Sequence, residues 1–465
     1  MSDISAQETN NHEVSECSLS RRDFLAGSAA AAAFTVVPAH VLAGSDEASP
    51  SDRLNIAGIG LGSMGWNDMQ RSCIKKENVV ALCDVNEKHL ARASETYSKA
   101  ETYLDWRRCL DQKNIDAVYC ATPDHTHAFI ATWAMNRDLH VYCQKPLART
   151  VEEARVVRET YLEKKDKLAT QLGTQMHANP NVRRFVELVR GGIVGTPREA
   201  WVWCSREPRD EVKKGHYLPN RNPAPDHLHW DRWVGPSPYH PFNPNYVGGG
   251  CLQWNWFRDF GAGQIGDMGS HMMDIAYWAL DLDLPTTCEA TGSPVKNDTC
   301  PFWLDATWTH PSNDWRPELK LHWMDGGKKP DVPAKELFKA VVVRGDRGYI
   351  IVDYNSRRIE PIEGKSPKDP SNIDTGLVPP SDGPEDHYSE WIQACKTDKS
   401  TLSNFDYAGK LTENNMLALV AYRTGQKLQW DSENMNATNY PEAEKYIRWT
   451  RCPGPTYRKG WTLNG

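Results

Sequence analysis

This chain of 465 residues has no excess of basic residues, no C-x-x-C pair and no internal repeat. It also has no long apolar run; the one from Phe24 to about Val37 falls short of the ~20 residues that span a bilayer. Each absence excludes something. With 54 Lys and Arg against 61 Asp and Glu, the net charge is −7, so no global positive field holds nucleic acid or anionic lipid. A composition of 39% hydrophobic and 25% charged residues excludes a disordered chain, a collagen-like repeat and a small disulfide scaffold. At roughly 150 residues per domain, the length allows two or three domains with their own cores. Against these absences stand 18 Trp and 12 Cys.

The N-terminus reads as a cleavable signal. Ser20-Arg21-Arg22-Asp23-Phe24-Leu25 precedes the apolar run, and Val41-Leu42-Ala43 follows it. This resembles a twin-arginine signal. Residues 1–43 are therefore set apart from the fold, which leaves a mature chain of net charge −4. No Cys stands at the cleavage point for a lipid anchor. Export of that type, as the resemblance implies, moves a protein already folded in a reducing compartment. The cysteines are then expected as structural thiols, and Cys83, Cys120 and Cys143 lie in apolar strand-like runs.

Chemistry begins directly after the signal. A strand at 54–59 leads into Gly60-Leu61-Gly62-Ser63-Met64-Gly65 and a helical pattern, and the next strand, 78–83, ends in Asp84. Gly60 serves the tight turn, Gly62 the approach of backbone amides to a pyrophosphate, and Gly65 the close packing of helix on strand. A carboxylate at Asp84 accepts from the adenine-ribose hydroxyls and repels a 2′-phosphate, so NAD is favoured over NADP. Strands at 117–121, 140–143 and 168–172, separated by helices at 128–136 and 151–162, continue a doubly wound parallel sheet. Ligands bind beyond the carboxyl edge of such a sheet. Thr122-Pro123-Asp124-His125-Thr126-His127 and Gln144-Lys145-Pro146 lie at that edge. His125 and His127 more simply shape a cofactor site than bind metal, and no metal is expected.

From about Gly173 the rhythm changes. After a helix at 182–190, strands are expected at 199–204, 303–309, 318–323, 340–344, 349–352 and 358–362. Two closing helices are expected at 386–396 and 407–426. This reads as an α+β domain on a large, mostly antiparallel open sheet. Residues 207–245 hold eight prolines and read as a functional loop. Gly248-Gly249-Gly250 and Gln253-Trp254-Asn255-Trp256-Phe257-Arg258 precede a helical stretch in which Asp267, His271 and Asp274 share one face.

The fingerprint, the T-P-D-x-x-H loop, the K-P dipeptide and the later GGG…D-x-x-x-H-x-x-D segment, in that order, resemble the Gfo/Idh/MocA oxidoreductase family over about residues 52 to 430. The resemblance implies a Rossmann domain at 52–172 and, at 173–465, a substrate and oligomerisation domain whose sheet forms a homo-oligomer interface. It implies a cofactor site of Gly60, Gly62, Ser63, Met64, Gly65, Asp84, Thr122, Pro123, His127, Gln144 and Lys145. The catalytic residues it implies are Lys145, Asp267 and His271. Hydride transfer from a secondary carbinol requires the hydroxyl proton to leave. A neutral imidazole suits that step, an ammonium stabilises the developing alkoxide, and a carboxylate one turn away orients the imidazole. The chain departs from the family at Gln144, where the motif has Glu. Eleven of the 18 Trp lie between residues 201 and 323. Trp254 and Trp256, with Trp230, Trp233 and Arg258, are the expected sugar contacts beside Lys145, Asp267 and His271.

The expected activity is NAD-dependent oxidation of a secondary hydroxyl on a sugar or cyclitol, with the cofactor carried tightly bound into the periplasm. NAD-assisted glycoside cleavage and a noncatalytic sugar-binding module stand as alternatives. No nucleic-acid partner and no integral membrane segment are expected.

Overall fold

In the computed structural model the described residues are 52–464, without 222, 363–370, 398 and 449–456. The expected signal at 1–43 lies outside them, as do Cys17 and Cys452. Six strands form the first sheet: β1 (Asn55–Ile59), β2 (Asn78–Cys83), β3 (Glu101–Tyr103), β4 (Ala117–Cys120), β5 (His140–Cys143) and β6 (Thr170–Leu172). All pair in parallel, in the order β3-β2-β1-β4-β5-β6. The order reverses between β1 and β4, which opens a crevice past their carboxyl ends. Every residue of β4 is buried, as expected of a strand covered on both faces. The covering helices include α1 (Ser63–Met69), α2 (Glu87–Thr96), α3 (Asp124–Met135) and α4 (Val151–Lys164). Thr150 starts α4 by accepting from the Glu153 amide.

Past α5 (Pro180–Arg190) lies a nine-stranded sheet. Its strands are β7 (Pro197–Cys204), β8 (Thr287–Gly292), β9 (Leu304–His310), β10 (Leu319–Asp325), β11 (Lys339–Gly345), β12 (Gly348–Val352), β13 (Arg357–Pro361), β14 (Leu428–Asp431) and β15 (Asn436–Ala437). The order is β13-β12-β11-β7-β10-β9-β8-β14-β15, antiparallel apart from the parallel pair β7–β10. In β9 burial alternates strictly, so Leu304, Ala306, Trp308 and His310 face inward. That inner face packs on α6 (Gly263–Leu280) and α8 (Phe405–Thr424); Trp308 donates to the Asn414 carbonyl at 2.9 Å. A further helix, α7 (Pro384–Cys395), packs its Tyr388, Trp391 and Ile392 into the first sheet's second core.

Residues 207–245 are more ordered than a loop. They hold helical turns at Asp210–Lys213, Trp230–Val234 and Pro244–Val247. They also share an aromatic cluster in which Trp230 stacks on Trp233 at 4.6 Å and on Tyr246 at 5.8 Å. The prolines break regular structure while the rings supply the burial that ties the segment down. The ten described cysteines are free thiols, seven of them buried.

Candidate active site

The glycine turn is built from backbone. Gly60 has φ +86°, and a Cβ there would come within 2.5 Å of the Ala121 carbonyl oxygen; a Cβ on Gly65 would lie 2.0 Å from that of Gly60. Gly62 caps α1 in an extended conformation, with no side chain closing the first turn. Ser63 and Met64 stand exposed at the rim. Asp84 braces the turn: one carboxylate oxygen accepts from the Leu61 amide at 2.7 Å and the other from the Asn86 amide at 2.8 Å. His89 Nδ1 lies 3.2 Å from Asp84, and its ring closes on Gly62. A glycine turn with no side-chain cap, beside an anchored carboxylate, fits the pyrophosphate and ribose of a dinucleotide.

At the same edge Lys145 pairs with Asp267, whose second oxygen accepts from Arg206 Nη1 at 2.6 Å. β5 ends just before Lys145, α6 carries Asp267, and the segment after β7 carries Arg206. Burial works to raise the Asp267 carboxyl, but Lys145 and Arg206 prevail and hold it below its ordinary range. Burial likewise opposes the Lys145 charge, yet Asp267 and neighbouring groups raise it, so the ammonium persists. His271 responds the other way: burial, then Lys145, pushes it down to about 3, and the ring is neutral near pH 7. Asp124 is carried well above the carboxylate range by burial, although Lys145 works against that shift. Asp267 therefore orients Lys145 and Arg206 through its hydrogen bonds, while His271 Nδ1 is buried without a protein partner. The expectation that Asp267 orients the imidazole is corrected accordingly.

Gln144 points the opposite way. Its amide donates at 2.6 Å to Asp68 on α1. The same carboxylate accepts from Tyr119 OH and, at 2.7 Å, from Tyr388 OH on α7. Burial raises Asp68 despite these donors. The negative charge expected at position 144 stands at Asp68 instead, and an amide is the group that complements it.

Thr122 and Pro123 lie between β4 and α3, and Thr126 donates to Thr122 Oγ1 at 2.7 Å. His127 lies between the carbonyls of Pro146 at 2.7 Å and Thr122 at 2.6 Å. A neutral ring donates to only one of them, but burial dominates and takes His127 down to about 4. Cys120 and Cys143 bring their Sγ atoms within 4.8 Å of a His127 nitrogen. A cation there would cost the ring one of its carbonyl contacts. The tryptophans Trp230, Trp233, Trp254 and Trp256 are each at most 8% exposed and belong to the aromatic cluster. Arg258 borders a small recess with Arg149 and Arg423, and none of Lys145, Asp267 or His271 lines it. A recess of about 940 Å³ within the proline-rich segment, bordered by Tyr217, Arg221 and Phe242, also excludes those three.

Sequence reasoning missed Arg206, Asp68 and Arg92. Arg206 sits 61 residues from its partner, and Asp68 reads as one more polar position on a short helix. Arg92 lies over the Trp66 ring at 4.5 Å and donates to the Leu61 carbonyl at 2.5 Å, a cation on the cradle's flank.

Two family models match the chain. One, described as oxidoreductase family, NAD-binding Rossmann fold, covers residues 54–172; the other, the C-terminal alpha/beta domain of that family, covers 176–314. The chain belongs to the Gfo/Idh/MocA oxidoreductase family. Its first sheet is that family's NAD-binding Rossmann unit, and a twin-arginine signal model matches residues 18–38, which marks the chain for export by that route. Inositol 2-dehydrogenase of Salmonella typhimurium is 26% identical over 142 residues, 30% of this chain and 42% of the relative. A glycosyl hydrolase family 109 protein of Stenotrophomonas maltophilia is 30% identical over 194 residues, 38% of this chain and 40% of the relative. These matches thus span less than half of either relative's length. Among solved structures, the WlbA dehydrogenase of Chromobactrium violaceum, in complex with NADH and UDP-GlcNAcA, superposes with a TM-score of 0.60 at 16% identity. That match covers 82% of this chain and 97% of that one, and shows a shared fold. No helix among the described residues is long and apolar enough to cross a membrane.

Proposed function

We propose that this family member oxidises a secondary hydroxyl of a sugar, cyclitol or derivative, with NAD retained in the site and returned to its oxidised form by reduction of a second, carbonyl substrate. The observation that carries the reading is the Lys145–Asp267–Arg206 ion-pair system beside a neutral, half-buried His271. The bound nicotinamide supplies a hydride acceptor. Lys145, kept charged by Asp267, donates to the substrate oxygen and stabilises the charge that develops there. His271 accepts the hydroxyl proton because its ring is neutral near pH 7. Asp267 and Arg206 fix the Lys145 ammonium in place. The dinucleotide contacts fall to Gly60, Gly62, Gly65, Asp84, Thr122 and Pro123, with Asp84 disfavouring a 2′-phosphate.

NAD-assisted glycoside cleavage is the second reading, supported by the matched glycosyl hydrolase family 109 relative. It uses the same lysine and histidine. Export through the twin-arginine route points to a periplasmic protein that carries its cofactor out in folded form. The outer face of the nine-stranded sheet is the surface we assign to a homo-oligomer.

The deciding experiment denatures the purified mature protein and analyses the released small molecules by mass spectrometry. NAD or NADH at about one per chain supports the reading; neither cofactor, together with no thermal stabilisation by added NAD, sinks it. Incubation with myo-inositol, levoglucosan and p-nitrophenyl glycosides then separates the two chemistries. Bound NADH, up to one per chain, formed without free nitrophenol indicates oxidation, and free nitrophenol without NADH indicates cleavage.

A further inference from the structure

Oxidation of a carbinol leaves a proton to be stored, and Lys145, Asp267 and His271 store it poorly. Lys145 is held as the ammonium, Asp267 is committed to two cations, and burial drives His271 to about 3. One helical turn past His271, however, α6 carries Asp274, which is fully buried. Its two oxygens lie 3.2 and 3.1 Å from His177 Nδ1, and one of them also accepts from Tyr407 OH at 2.7 Å. His177 comes from the turn after β6, is 1% exposed and stacks on Trp278 at 3.8 Å. Nδ1–H facing Asp274 fixes the tautomer and leaves Nε2 as an acceptor. Nε2 is buried and has no protein partner.

The same is true of His271 Nδ1, His387 Nδ1, Thr174 Oγ1 and Gln175 Oε1. His387 is depressed to about 3, first by burial and then by His177, with His271 also contributing, so His177 and His271 each lie within electrostatic reach of His387. Orphaned buried polar atoms cost about 1–3 kcal/mol each, so a native fold that gathers several gives them a ligand or ordered water. An imidazole backed by a carboxylate is the arrangement that stabilises an imidazolium.

We infer that His177, held by Asp274, is the second station of the proton that leaves the substrate hydroxyl through His271. This rests on the oxidoreductase reading above. The substrate O–H bond breaks and its proton joins one ring nitrogen of His271. The proton on His271 Nδ1 passes through one bridging water to His177 Nε2, both atoms being without a partner among the described residues. The C–H bond breaks in the same reaction, its electron pair goes to the nicotinamide as hydride, and a carbonyl forms. His177 is thus a positioning and relay residue that never touches substrate. The charged and titratable groups around it are Asp274, Tyr407, Arg183, whose Nε donates to the His177 carbonyl, Glu390 and His387.

The test uses the NAD-loaded protein with myo-inositol and levoglucosan as probes and a second, carbonyl substrate to return the cofactor to NAD. His177→Gln and Asp274→Asn should retain bound NAD and lose turnover about tenfold or more at pH 7. The loss should shrink steadily toward pH 9.5, where solvent base takes the proton, and added imidazole should restore part of the activity of His177→Ala. A crystal structure of the holoenzyme should show Nε2 of His177 joined to Nδ1 of His271 through one ordered water. A loss equal at every pH, accompanied by a lowered melting temperature, means a structural role and overturns the relay, as does an apolar contact between the two rings. A parent that holds NAD but oxidises neither probe nor any other polyol removes the functional reading and the relay with it. A parent that oxidises a polyol while His177→Gln matches it at every pH removes the relay alone.

Discussion

The consecutive residues Gln144 and Lys145 face two regions that manage a buried carboxylate in opposite ways. On the lysine side, Asp267 is neutralised by two cations and its carboxyl is depressed. On the glutamine side, Asp68 hydrogen-bonds only to neutral donors, Gln144, Tyr119 and Tyr388, with Arg71 acting on it only through its field, and burial raises it. Cations can form a charged reaction site, because their field also acts on whatever oxygen binds beside Lys145. Neutral donors satisfy a carboxylate without projecting such a field, which suits a brace between α1, β4, β5 and α7. The family motif puts a glutamate before the lysine; this chain moves the charge to the helix and the amide to the strand.

The comparison breaks most decisively at Lys145. Lys145→Ala should lower turnover by about a thousandfold, roughly 4 kcal/mol of transition-state stabilisation, while NAD remains bound. Steady-state rates and cofactor content measured on one preparation check this; unchanged rates would remove Lys145 from the mechanism. Next comes Gln144→Glu, which sets a second carboxylate 2.6 Å from Asp68. Two such groups must share a proton, so the variant's cost grows as pH rises and should reach about 3 kcal/mol at pH 8. Urea unfolding at pH 5 and 8 measures it. Adding Asp68→Asn should recover most of the loss, because the donor and the acceptor have then simply changed places.

Much of the lysine side was legible because its residues obey spacings. The strand that ends in Gln144-Lys145-Pro146 is a short apolar run, and D-x-x-x-H on a helix fixes Asp267 and His271 on one face. What the spacing hid was partner choice. Asp274 sits on that same face but turns to His177 and Tyr407, and Asp267 takes Arg206 from a segment whose position depends on β7. The glutamine side was illegible, since Asp68, Tyr119 and Tyr388 meet only through the tertiary fold. Secondary structure failed where burial was one-sided or slight: β3 has two exposed residues out of three, and β8 alternates around small polar side chains. The tryptophans misled for a related reason, because rings that suit a sugar face equally suit one another.

His271 sharpens the comparison through pH. Its folded value of about 3 lies below the ~6.5 of an unfolded histidine, so between those values the unfolded chain binds the extra proton. The neutral form's stability is complete above pH 6.5 and is lost as pH falls. His271→Asn lacks that group, so the variant should gain on the parent by about 2 kcal/mol between pH 6 and 4.5. Unfolding curves of both proteins at the two pH values read the difference directly; a constant gap would mean that the ring is not buried neutral.

The smallest effect tests whether Asp267 needs both of its cations. Arg206 is about a third exposed at its side chain, whereas Lys145 is largely enclosed, so solvent already screens part of the arginine's charge. Arg206→Gln keeps a donor for the Asp267 oxygen and removes the charge. Asp267 then retains Lys145, and its carboxyl remains depressed, but the ammonium becomes the sole counter-charge and is drawn further from the substrate oxygen. Turnover should fall about tenfold, roughly 1.4 kcal/mol, with the Michaelis constant little changed. A rise in the Michaelis constant at constant turnover would instead make Arg206 a substrate contact. The lysine side would then need only one cation for its carboxylate, while the glutamine side hydrogen-bonds its own to none.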